Sequence, residues 1–502
     1  MKLSLLLSAI GCKAPDGHES DDILTLTADS RKACAQSLFV CVKGMSSDGH
    51  AYAKSAYELG CRHFVAMHAL DLPSDACTVL SEDTRDALSL LARCFYGNPE
   101  RELLLIGITG TKGKTTAALM VRHMLCGVGI ETGYIGSNGA HYGGVCEETA
   151  NTTPESIELA RLFRAMRDKG VRAVVMEISS QALYMNRVRG LSFPITAFTN
   201  LAHDHIGGKE HPTFEHYRDS KALLFSEYGC ETMLLCTDDA HAPFMREKST
   251  ATEILSYAKQ DKTADYLIEG ERLVTNSGKL CTSFTVNARG ERLSALLPIP
   301  GSFNTANAVL ALALSKAAAD RLSVTVTHAR LLSSIESVSV SGRFETVPLS
   351  PDRVFVIDYA HNGFSLDGAL SVLRGYAPSR LICLIGSVGG RTEMRRGELG
   401  RAASNADLVI ITSDNPDQED PMTIMQAIAE QCSAEKVLIS DRAEAIAYAV
   451  KVSKAGDIIL LAGKGHERYQ LIGGKKLPFC EREILTEAWQ TKVETEKTHI
   501  PL

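Results

Sequence analysis

The sequence predicts an α/β protein of three domains. One observation is a strand, a turn and a helix at residues 103–116, where LLLIGITGTKGKTT passes from an apolar run into a glycine-rich turn. A second is the alternation of apolar strands with helical stretches through residues 99–337, and a third is a new series of such strands from residue 338 onwards. These patterns favour a central parallel sheet of the P-loop type and a C-terminal Rossmann-like domain.

The turn at residues 107–116 has the composition of a phosphate-binding loop, which surrounds a nucleotide phosphate with backbone N–H groups. Lys114 is placed to reach the terminal phosphates, and the Thr115 hydroxyl to bind Mg²⁺. Ile108 stands where the strict Walker pattern has glycine, so the match is the variant GxTGxxGKTT. A plain glycine-rich βα turn is the alternative, but the flanking strand and helix favour phosphate. The predicted ATP-binding residues here are Gly110, Thr111, Lys112, Gly113, Lys114, Thr115 and Thr116.

Composition narrows the function classes. The chain has 502 residues, a 45% apolar fraction and a net charge of −7, without a clustered run of Lys and Arg. We therefore expect neither nucleic acid nor a membrane as a partner. Fourteen cysteines without CxxC pairs indicate reduced thiols and a cytoplasmic protein. The apolar start, residues 1–12, could be read as a lipoprotein signal, but a first amphipathic helix is the better interpretation.

Three segments organise the chain. Residues 1–98 hold short strands such as 37–42 and 62–66, and they end at a Gly-Asn-Pro turn that predicts a boundary. Residues 99–337 form the central domain, and residues 338–502 form the third. In the third domain, strands near 354–358, 381–386, 408–413 and 457–462 each run into a polar loop. Because ligands bind at the carboxyl ends of parallel strands, these loops predict a second site.

Several polar residues stand out in the central domain. Glu177 ends an apolar strand, where a carboxylate is typically a metal ligand or, alternatively, caps a backbone turn. His205 follows a neighbouring strand, although a lone histidine there is more often an ordinary surface residue. Lys221 lies on a helix with an apolar face, and composition alone predicts a solvated lysine.

Two further positions precede the third domain. Asn304 and Asn307 begin a helix, where N-capping is the plain explanation. Arg343 follows a glycine between the second and third domains. It could reach a phosphate or form an ion pair between the domains.

Nine residues and motifs follow one another along the chain: the phosphate loop, Glu177, Asp204-His205, Lys221, GSFNTAN at 301–307, Gly342-Arg343, DYAH at 358–361, DNP at 414–416 and GKGHE at 463–467. In this set and order the chain resembles the Mur ligases over essentially its full length. The chain is most similar to the tripeptide synthetases, which add the third residue of the peptidoglycan stem peptide. The resemblance implies a monomer that uses ATP and Mg²⁺. Its substrates would be UDP-N-acetylmuramoyl-L-alanyl-D-glutamate and an amino acid, joined through an acyl phosphate.

The resemblance also implies site residues. Lys114, Lys221 and His205 would be catalytic, and Thr115, Glu177, His205 and a carbamylated Lys221 would hold the metal. Asn304, Arg343 and Asp358 would complete the ATP site. The UDP-substrate would contact Ser30, the loop at 46–50, Thr152, Thr153, Ser179 and Arg187. The amino acid would contact Arg391, Asp414, Asn415, Asp417, Gly463 and Glu467.

The sequence departs from the family at the residue that predicts the amino acid. Members that add diaminopimelate have arginine where this chain has Asp417, so we expect L-lysine, with ornithine second and meso-diaminopimelate third. Lys112 and Met185 also replace a usual Asn and Gln. Two other functions stay open at this point. A folylpolyglutamate synthase shares the phosphate loop but lacks a uridine-binding first domain, and a nucleotide-binding regulator would lack catalysis.

Overall fold

The computed structural model describes residues 1–44, 47–203, 206–207, 210–276, 279–390 and 394–498. The chain divides into two compact units, Met1–Leu267 with Val309–Leu331, and Ile268–Ala308 with Leu332–Leu502. It passes from one unit to the other within β13 (Tyr266–Asn276), α9 (Ser302–Arg321) and α10 (His328–Ser333). The predicted domain boundaries near residues 98 and 337 stay a prediction.

The first unit begins with a small parallel sheet. Its strands follow chain order: β1 (Thr25–Thr27), β2 (Ser37–Val40), β3 (His63–Ala66) and β4 (Cys77–Leu80). The strands predicted at 37–42 and 62–66 are β2 and β3. Helices α1 (Leu3–Ser8), α2 (Ala53–Glu58) and α3 (Thr84–Phe95) accompany this sheet. In α1, Leu3, Leu6 and Leu7 share one helical face and are fully buried, so the apolar start of the chain belongs to a core.

The larger sheet of the first unit carries the phosphate loop. Within this unit its order is β13-β12-β11-β10-β5-β9-β6-β7-β8, with β13 taking part through Tyr266 and Leu267; the strands are parallel from β13 to β6 and antiparallel beyond. These strands are β5 (Leu104–Thr109), β6 (Thr132–Gly136), β7 (Gly139–Tyr142), β8 (Val145–Glu147), β9 (Ala173–Glu177), β10 (Ile195–Phe198), β11 (Thr232–Cys236) and β12 (Glu253–Ala258). The helices are α4 (Lys114–Gly127), α5 (Ser156–Asp168), α6 (Ser180–Tyr184), α7 (Phe214–Ser226) and α8 (Ala242–Lys248). The buried parallel strands predicted around 173–179 and 195–201 are β9 and β10.

The second unit contains the Rossmann-like sheet. The order is β16-β17-β21-β18-β19-β20, and only the edge strand β16 is antiparallel. The strands are β16 (Glu345–Val347), β17 (Val354–Asp358), β18 (Leu381–Ile385), β19 (Leu408–Ile411), β20 (Glu435–Leu438) and β21 (Ile458–Ala462). The carboxyl ends of β17, β18, β19 and β21 therefore meet at one edge, as the polar loops predict.

Hairpins and helices complete the second unit. Strand β14 (Lys279–Ala288) pairs with β15 (Glu291–Leu297), and β22 (Tyr469–Ile472) pairs with β23 (Lys475–Pro478). The helices are α11 (Gly363–Arg374), α12 (Met394–Ala403), α13 (Pro421–Ala429), α14 (Arg442–Val452) and α15 (Glu481–Thr498). Within the described ranges, no helix has the length and apolar character to cross a bilayer.

Candidate active site

The predicted phosphate loop joins β5 to α4. Strand β5 is buried throughout, and α4 begins at Lys114. Gly110 and Gly113 have φ values of +145° and +88°, a region that side chains disfavour. A side chain at Gly110 would also collide with Thr199. The glycines therefore permit a tight turn whose helix N-terminus offers backbone N–H groups to an anion.

The segment after β10 holds this loop in shape. The Asn200 carbonyl accepts from the Thr111 N–H at 2.8 Å, and its side-chain oxygen accepts from the Lys112 N–H at 2.9 Å. The Asn200 amide and the Thr199 hydroxyl in turn donate to the Lys112 carbonyl, at 3.0 and 2.7 Å. The segment that follows β10 therefore fixes the loop backbone from outside the loop.

Glu177 lies at the end of β9, 1% exposed. Its carboxylate accepts hydrogen bonds from the Thr115 hydroxyl at 2.8 Å, the Tyr134 hydroxyl at 2.6 Å and the Ser137 N–H at 2.9 Å. Three donors compensate the burial of this charge. The structure thus brings together Thr115 and Glu177, the two described oxygen ligands that the family resemblance assigns to Mg²⁺.

Lys221 is 2% exposed, so the prediction of a solvated lysine from composition is wrong. Its ammonium donates to the Gly110 carbonyl at 2.9 Å and lies over the Tyr217 ring. Lys114 donates to the same Gly110 carbonyl at 2.8 Å and to the Thr111 carbonyl at 3.0 Å. Two ammonium groups therefore contact one loop oxygen. Their positive charge would stabilise an anion bound beside the loop, and the charge of Lys114 would stabilise an anionic form of Lys221.

This donor set fits magnesium. Mg²⁺ prefers hard oxygen ligands such as a hydroxyl and a carboxylate, and Thr115 and Glu177 present both within 2.8 Å of each other. A carbamate on Lys221 would add carboxylate-type oxygens near the Gly110 carbonyl that the lysine already contacts.

The residues expected to bind the sugar and peptide surround Glu177. Thr153 donates to the Glu177 carbonyl and accepts from the Ser179 N–H, while the Thr152 hydroxyl contacts Ser137. The Ser179 hydroxyl caps α6. Arg187 donates to the Thr153 carbonyl and pairs with Glu155 at 2.7 Å. Thr153 is fully buried, and its hydroxyl both donates and accepts a hydrogen bond with backbone groups. In the structure it therefore stabilises the local backbone.

Other predicted site residues lie elsewhere in the chain. Ser30 begins a short 3₁₀ turn, Ser30–Lys32, that follows the small N-terminal sheet's first strand and is capped by Asp29. His205 and Arg391 lie outside the described residues, as do Asp204 and Ser46.

The second unit contains the other predicted nucleotide residues. Asp358 ends β17 and accepts from the Phe344 N–H at 2.7 Å and the Ala360 N–H at 2.9 Å. Burial raises its carboxyl pKa, while the Arg343 charge acts in the opposite direction. Arg343 lies over the Tyr359 ring. Asn304 is buried within the first turn of α9, where its amide donates to the Pro300 carbonyl; the helix begins at Ser302, so neither Asn304 nor Asn307 is its N-cap.

Three of the predicted amino-acid residues, Asp414, Asn415 and Glu467, meet around Lys464 in the second unit. The Lys464 ammonium, 0% exposed, donates to Asp414 at 3.3 Å, Asn415 at 3.0 Å and Glu467 at 3.0 Å. Asp417 adopts a positive φ and accepts from the Gly474 N–H at 2.8 Å. Gly463 follows β21 with φ of +112°. Among the described residues of this group, the carboxylates of Asp414, Asp417 and Glu467 outnumber the ammonium of Lys464.

Sequence reasoning missed three residues of these networks. Asn200 follows the end of β10 beside the phosphate loop, a position that could have indicated it, whereas Tyr134 lies in the middle of β6 and reaches Glu177 through its hydroxyl. Lys464 lies inside the GKGHE motif at 463–467. Its burial against the carboxylates of Asp414 and Glu467 does not follow from the sequence of that motif.

A phosphate-binding loop beside a hydroxyl and a buried carboxylate, on a parallel sheet, defines a nucleotide-using α/β enzyme. Family comparison carries this further: residues 108–315 match the Mur ligase middle domain, and residues 342–465 match the Mur ligase, glutamate ligase domain. The chain belongs to the Mur ligase family, and it is an ATP-dependent, amide-bond-forming ligase of peptidoglycan biosynthesis.

Full-length relatives support this assignment. UDP-N-acetylmuramoyl-L-alanyl-D-glutamate–2,6-diaminopimelate ligases of Geobacillus kaustophilus and Bacillus licheniformis are 38% and 36% identical, and each comparison covers 97% of this chain and 99% of the relative. A solved structure of an enzyme with the same name shares 25% identity at a TM-score of 0.70, covering 98% of this chain and 100% of the other. These names specify diaminopimelate, in contrast to the L-lysine that Asp417 predicts.

Proposed function

We propose that this chain joins an amino acid to UDP-N-acetylmuramoyl-L-alanyl-D-glutamate, adding the third residue of the stem peptide with hydrolysis of ATP to ADP and phosphate. The observation that carries the proposal is the contact of Thr115 with buried Glu177, next to a loop carbonyl shared by Lys114 and Lys221. The full-length relatives with this activity in their names support the choice of substrate.

The reaction proceeds in two steps. An oxygen of the D-glutamyl carboxylate attacks the γ-phosphorus of ATP, ADP leaves, and an acyl phosphate forms. The neutral amine of the amino acid then attacks the acyl carbon, and phosphate leaves from the tetrahedral intermediate while the amine loses a proton. Lys114 turns from the Gly110 and Thr111 carbonyls to the γ-phosphate, where its charge stabilises the transferred group.

Two other residues prepare this step. Lys221 reacts as a neutral amine with CO₂ and releases a proton, which converts a cation into a carbamate anion. Thr115, Glu177, His205 and this carbamate are the proposed Mg²⁺ ligands, and the metal when bound would offset phosphate charge. Asn304, Arg343 and Asp358 remain proposed contacts of ATP, and Ser30, Thr152, Thr153, Ser179 and Arg187 of the UDP-substrate.

For the amino acid, we propose L-lysine. Asp417 occupies the position of an arginine that would bind a distal carboxylate, and the side chains of Asp414, Asp417 and Glu467 outnumber the single ammonium of Lys464. A side chain that ends in an ammonium is favoured there, whereas a second carboxylate meets charge of its own sign. Ornithine is the shorter alternative with the same charge.

A second candidate is 2,6-diaminopimelate, favoured by the names of the full-length relatives. The described cluster contains Lys464, but its ammonium is already shared among Asp414, Asn415 and Glu467. For diaminopimelate to be preferred, another cation would have to hold its distal carboxylate.

The test is phosphate release by the purified chain with ATP, Mg²⁺, the UDP-linked dipeptide and one amino acid at a time. We expect turnover only when the dipeptide and the amino acid are both present, with kcat/KM highest for L-lysine, then ornithine, then meso-diaminopimelate. A preference for meso-diaminopimelate overturns the acceptor assignment alone. Turnover with a folate and glutamate, or nucleotide binding without any ligation, overturns the proposed function itself.

A further inference from the structure

A cluster of metal-binding side chains lies in the small N-terminal sheet of the first unit. Among the residues that the structure describes, His18, Asp21 and His63 bring one donor atom each to within 4.8 Å of one another. His63 begins β3, and His18 and Asp21 belong to the segment that precedes β1. None of the three belongs to the residues proposed above for ATP or the two substrates.

One oxygen of Asp21 lies between the two imidazole nitrogens, which are themselves within 4.8 Å of each other. The Asp21 Oδ2 atom lies 2.7 Å from His18 Nδ1 and 2.8 Å from His63 Nε2. In a tetrahedral zinc site with bonds of about 2.0–2.1 Å, neighbouring donor atoms are roughly 3.3 Å apart. The two pairs that include Asp21 would each have to open by about 0.5 Å to admit an ion.

The backbone holds the cluster in place. The Asp21 carbonyl accepts from the Leu3 N–H at 2.9 Å, and the Asp21 N–H donates to the His18 carbonyl at 3.2 Å. His63 is fixed by the parallel pairing of β3 with β2 and β4. The donors are thus preorganised by a turn and a sheet, which lowers the entropic cost of ligand binding.

Charge and exposure also suit a cation. The Asp21 carboxyl group contacts both imidazole rings and offers oxygen atoms to a cation. The His63 side chain is 8% exposed, whereas those of His18 and Asp21 are 36% and 37% exposed, which leaves a route from solvent. His63 Nδ1 is buried and has no hydrogen-bond partner in the described structure, so the only polar contact of this ring is the one to Asp21.

Neighbouring groups limit the possible ligands. Cys77 lies beside His63 on β4, but burial, followed by the charge of Asp21, raises the pKa of its thiol to about 11. The group of donor atoms that lie within 4.8 Å of one another does not include the Cys77 sulfur, so Cys77 is not counted among the ligands. The adjacent Asp22 forms an exposed ion pair with Lys2 at 3.0 Å, and Glu19 accepts from the Gly17 N–H.

We propose that His18, Asp21 and His63 bind one divalent transition-metal ion of the Zn²⁺ type. Two imidazole nitrogens and one carboxylate oxygen suit zinc or cobalt, whereas Mg²⁺ prefers oxygen ligands and does not compete here. The ion fastens the segment before β1 to β3, across 42 residues of chain between Asp21 and His63. This site is separate in sequence and chemistry from the proposed magnesium ligands.

The test is metal binding by the intact chain after treatment with a chelator. Zn²⁺ is titrated against a chromophoric chelator, and Co²⁺ is added separately to record ligand-field absorption. We expect one equivalent of Zn²⁺ to bind with micromolar or tighter affinity and to raise the melting temperature. Co²⁺ should give visible bands without thiolate charge-transfer absorption, because no cysteine takes part.

Variants assign the bound equivalent. His18→Ala and Asp21→Asn should each weaken binding at least tenfold, whereas Asp22→Asn, which alters the neighbouring exposed carboxylate, should leave it within twofold. His18 lies in a half-exposed turn, so its substitution keeps the test valid if Asp21→Asn does not fold. Failure of the native chain to bind a stoichiometric ion, or equal binding by His18→Ala and Asp22→Asn, overturns the proposal.

Discussion

Lys221 is a charged side chain whose surroundings favour a change in its chemistry. Its ammonium is buried and shares the Gly110 carbonyl with Lys114, so two positive charges lie near one neutral acceptor. Like charges at such separations repel strongly away from water. Conversion of Lys221 to a carbamate would replace this repulsion with attraction to Lys114 and to a metal ion.

Replacing Lys221 tests that role. Lys221→Ala should lower kcat for ligation at least a hundredfold, because the proposed oxygen ligands disappear with the side chain. Added acetate or formate should restore part of the activity by supplying a carboxylate. The control is Lys248→Ala, which removes an exposed lysine at the end of α8 and should leave kcat unchanged. Full activity of Lys221→Ala would rule out the carbamate.

Asp417 sets the expected choice of amino acid. Asp417→Arg should lower kcat/KM for L-lysine about a hundredfold, because a like charge facing the substrate ammonium costs several kcal/mol and each 1.4 kcal/mol is about tenfold. The same variant should gain activity with meso-diaminopimelate. The matched control is Gln418→Arg, which introduces the same side chain at the next residue, an exposed position. Unchanged selectivity in Asp417→Arg would refute the charge argument.

The sequence was informative about residue identity and less so about residue surroundings. Thr115 and Glu177 could be paired from their motifs because both follow strands of one parallel sheet. The burial of Lys221 depends on α7 packing near β5, a long-range contact that helix composition does not contain. Likewise, the local sequence around Asp417 gave no sign that a turn N–H at Gly474 would satisfy its carboxylate.

At the scale of elements, buried Arg442 connects the two loops of the proposed amino-acid site. From the start of α14 it donates to the Ser413 carbonyl after β19, the Ala462 carbonyl at the end of β21, and Glu481 at the start of α15. Arg442 is 1% exposed, and Glu481 is 2% exposed. This ion pair therefore fixes the spacing of the loops that follow β19 and β21.

Arg442→Met should destabilise the second unit by about 3–5 kcal/mol, because it leaves the Glu481 carboxylate buried without a partner. The double variant Arg442→Met/Glu481→Leu should regain most of that loss. Urea unfolding followed by circular dichroism measures both. If the double variant is no more stable than the single one, the unpaired charge is not the cause.

The same variant should respond to pH. Burial raises the pKa of Glu481 above its usual 4.5, and the charge of Arg442 is what opposes this rise. Without Arg442 the folded state holds the Glu481 proton more tightly than the unfolded state does, so stability is retained at low pH and falls as the pH rises above about 4.5. The destabilisation of Arg442→Met should therefore be larger at pH 7 than at pH 5; the opposite trend would contradict this assignment.

The apolar runs predict which segments of the chain form strands. The order of these strands within the sheet is known only from the structure. The strands at 354–358, 381–386, 408–413 and 457–462 correspond to β17, β18, β19 and β21. Their spatial order places β21 between β17 and β18, a crossover that local periodicity does not encode. The polar loops after these strands nevertheless indicated one common edge, because parallel strands share their direction.

For the whole molecule, nucleotide binding should appear as stabilisation of the first unit, which contains the phosphate loop. Saturation with Mg²⁺ and ATP at a hundredfold excess over Kd should add about 2.7 kcal/mol and raise the melting temperature of that unit. Lys114→Met should abolish the shift, whereas Lys248→Ala should preserve it. An equal shift in both variants would show that the nucleotide binds away from this loop.

The anchoring of the phosphate loop by Asn200 limits how this motif could be engineered. Its carbonyl, side-chain oxygen and amide all bind the loop backbone, although 88 residues separate Asn200 from Lys112. Grafting residues 107–116 into another α/β scaffold would therefore transfer the sequence of the motif without the contacts that fix its conformation. A graft that keeps the loop conformation would have to include the segment that follows β10 as well. The smallest transferable unit is therefore the ends of two neighbouring strands, β5 and β10, and not one continuous peptide.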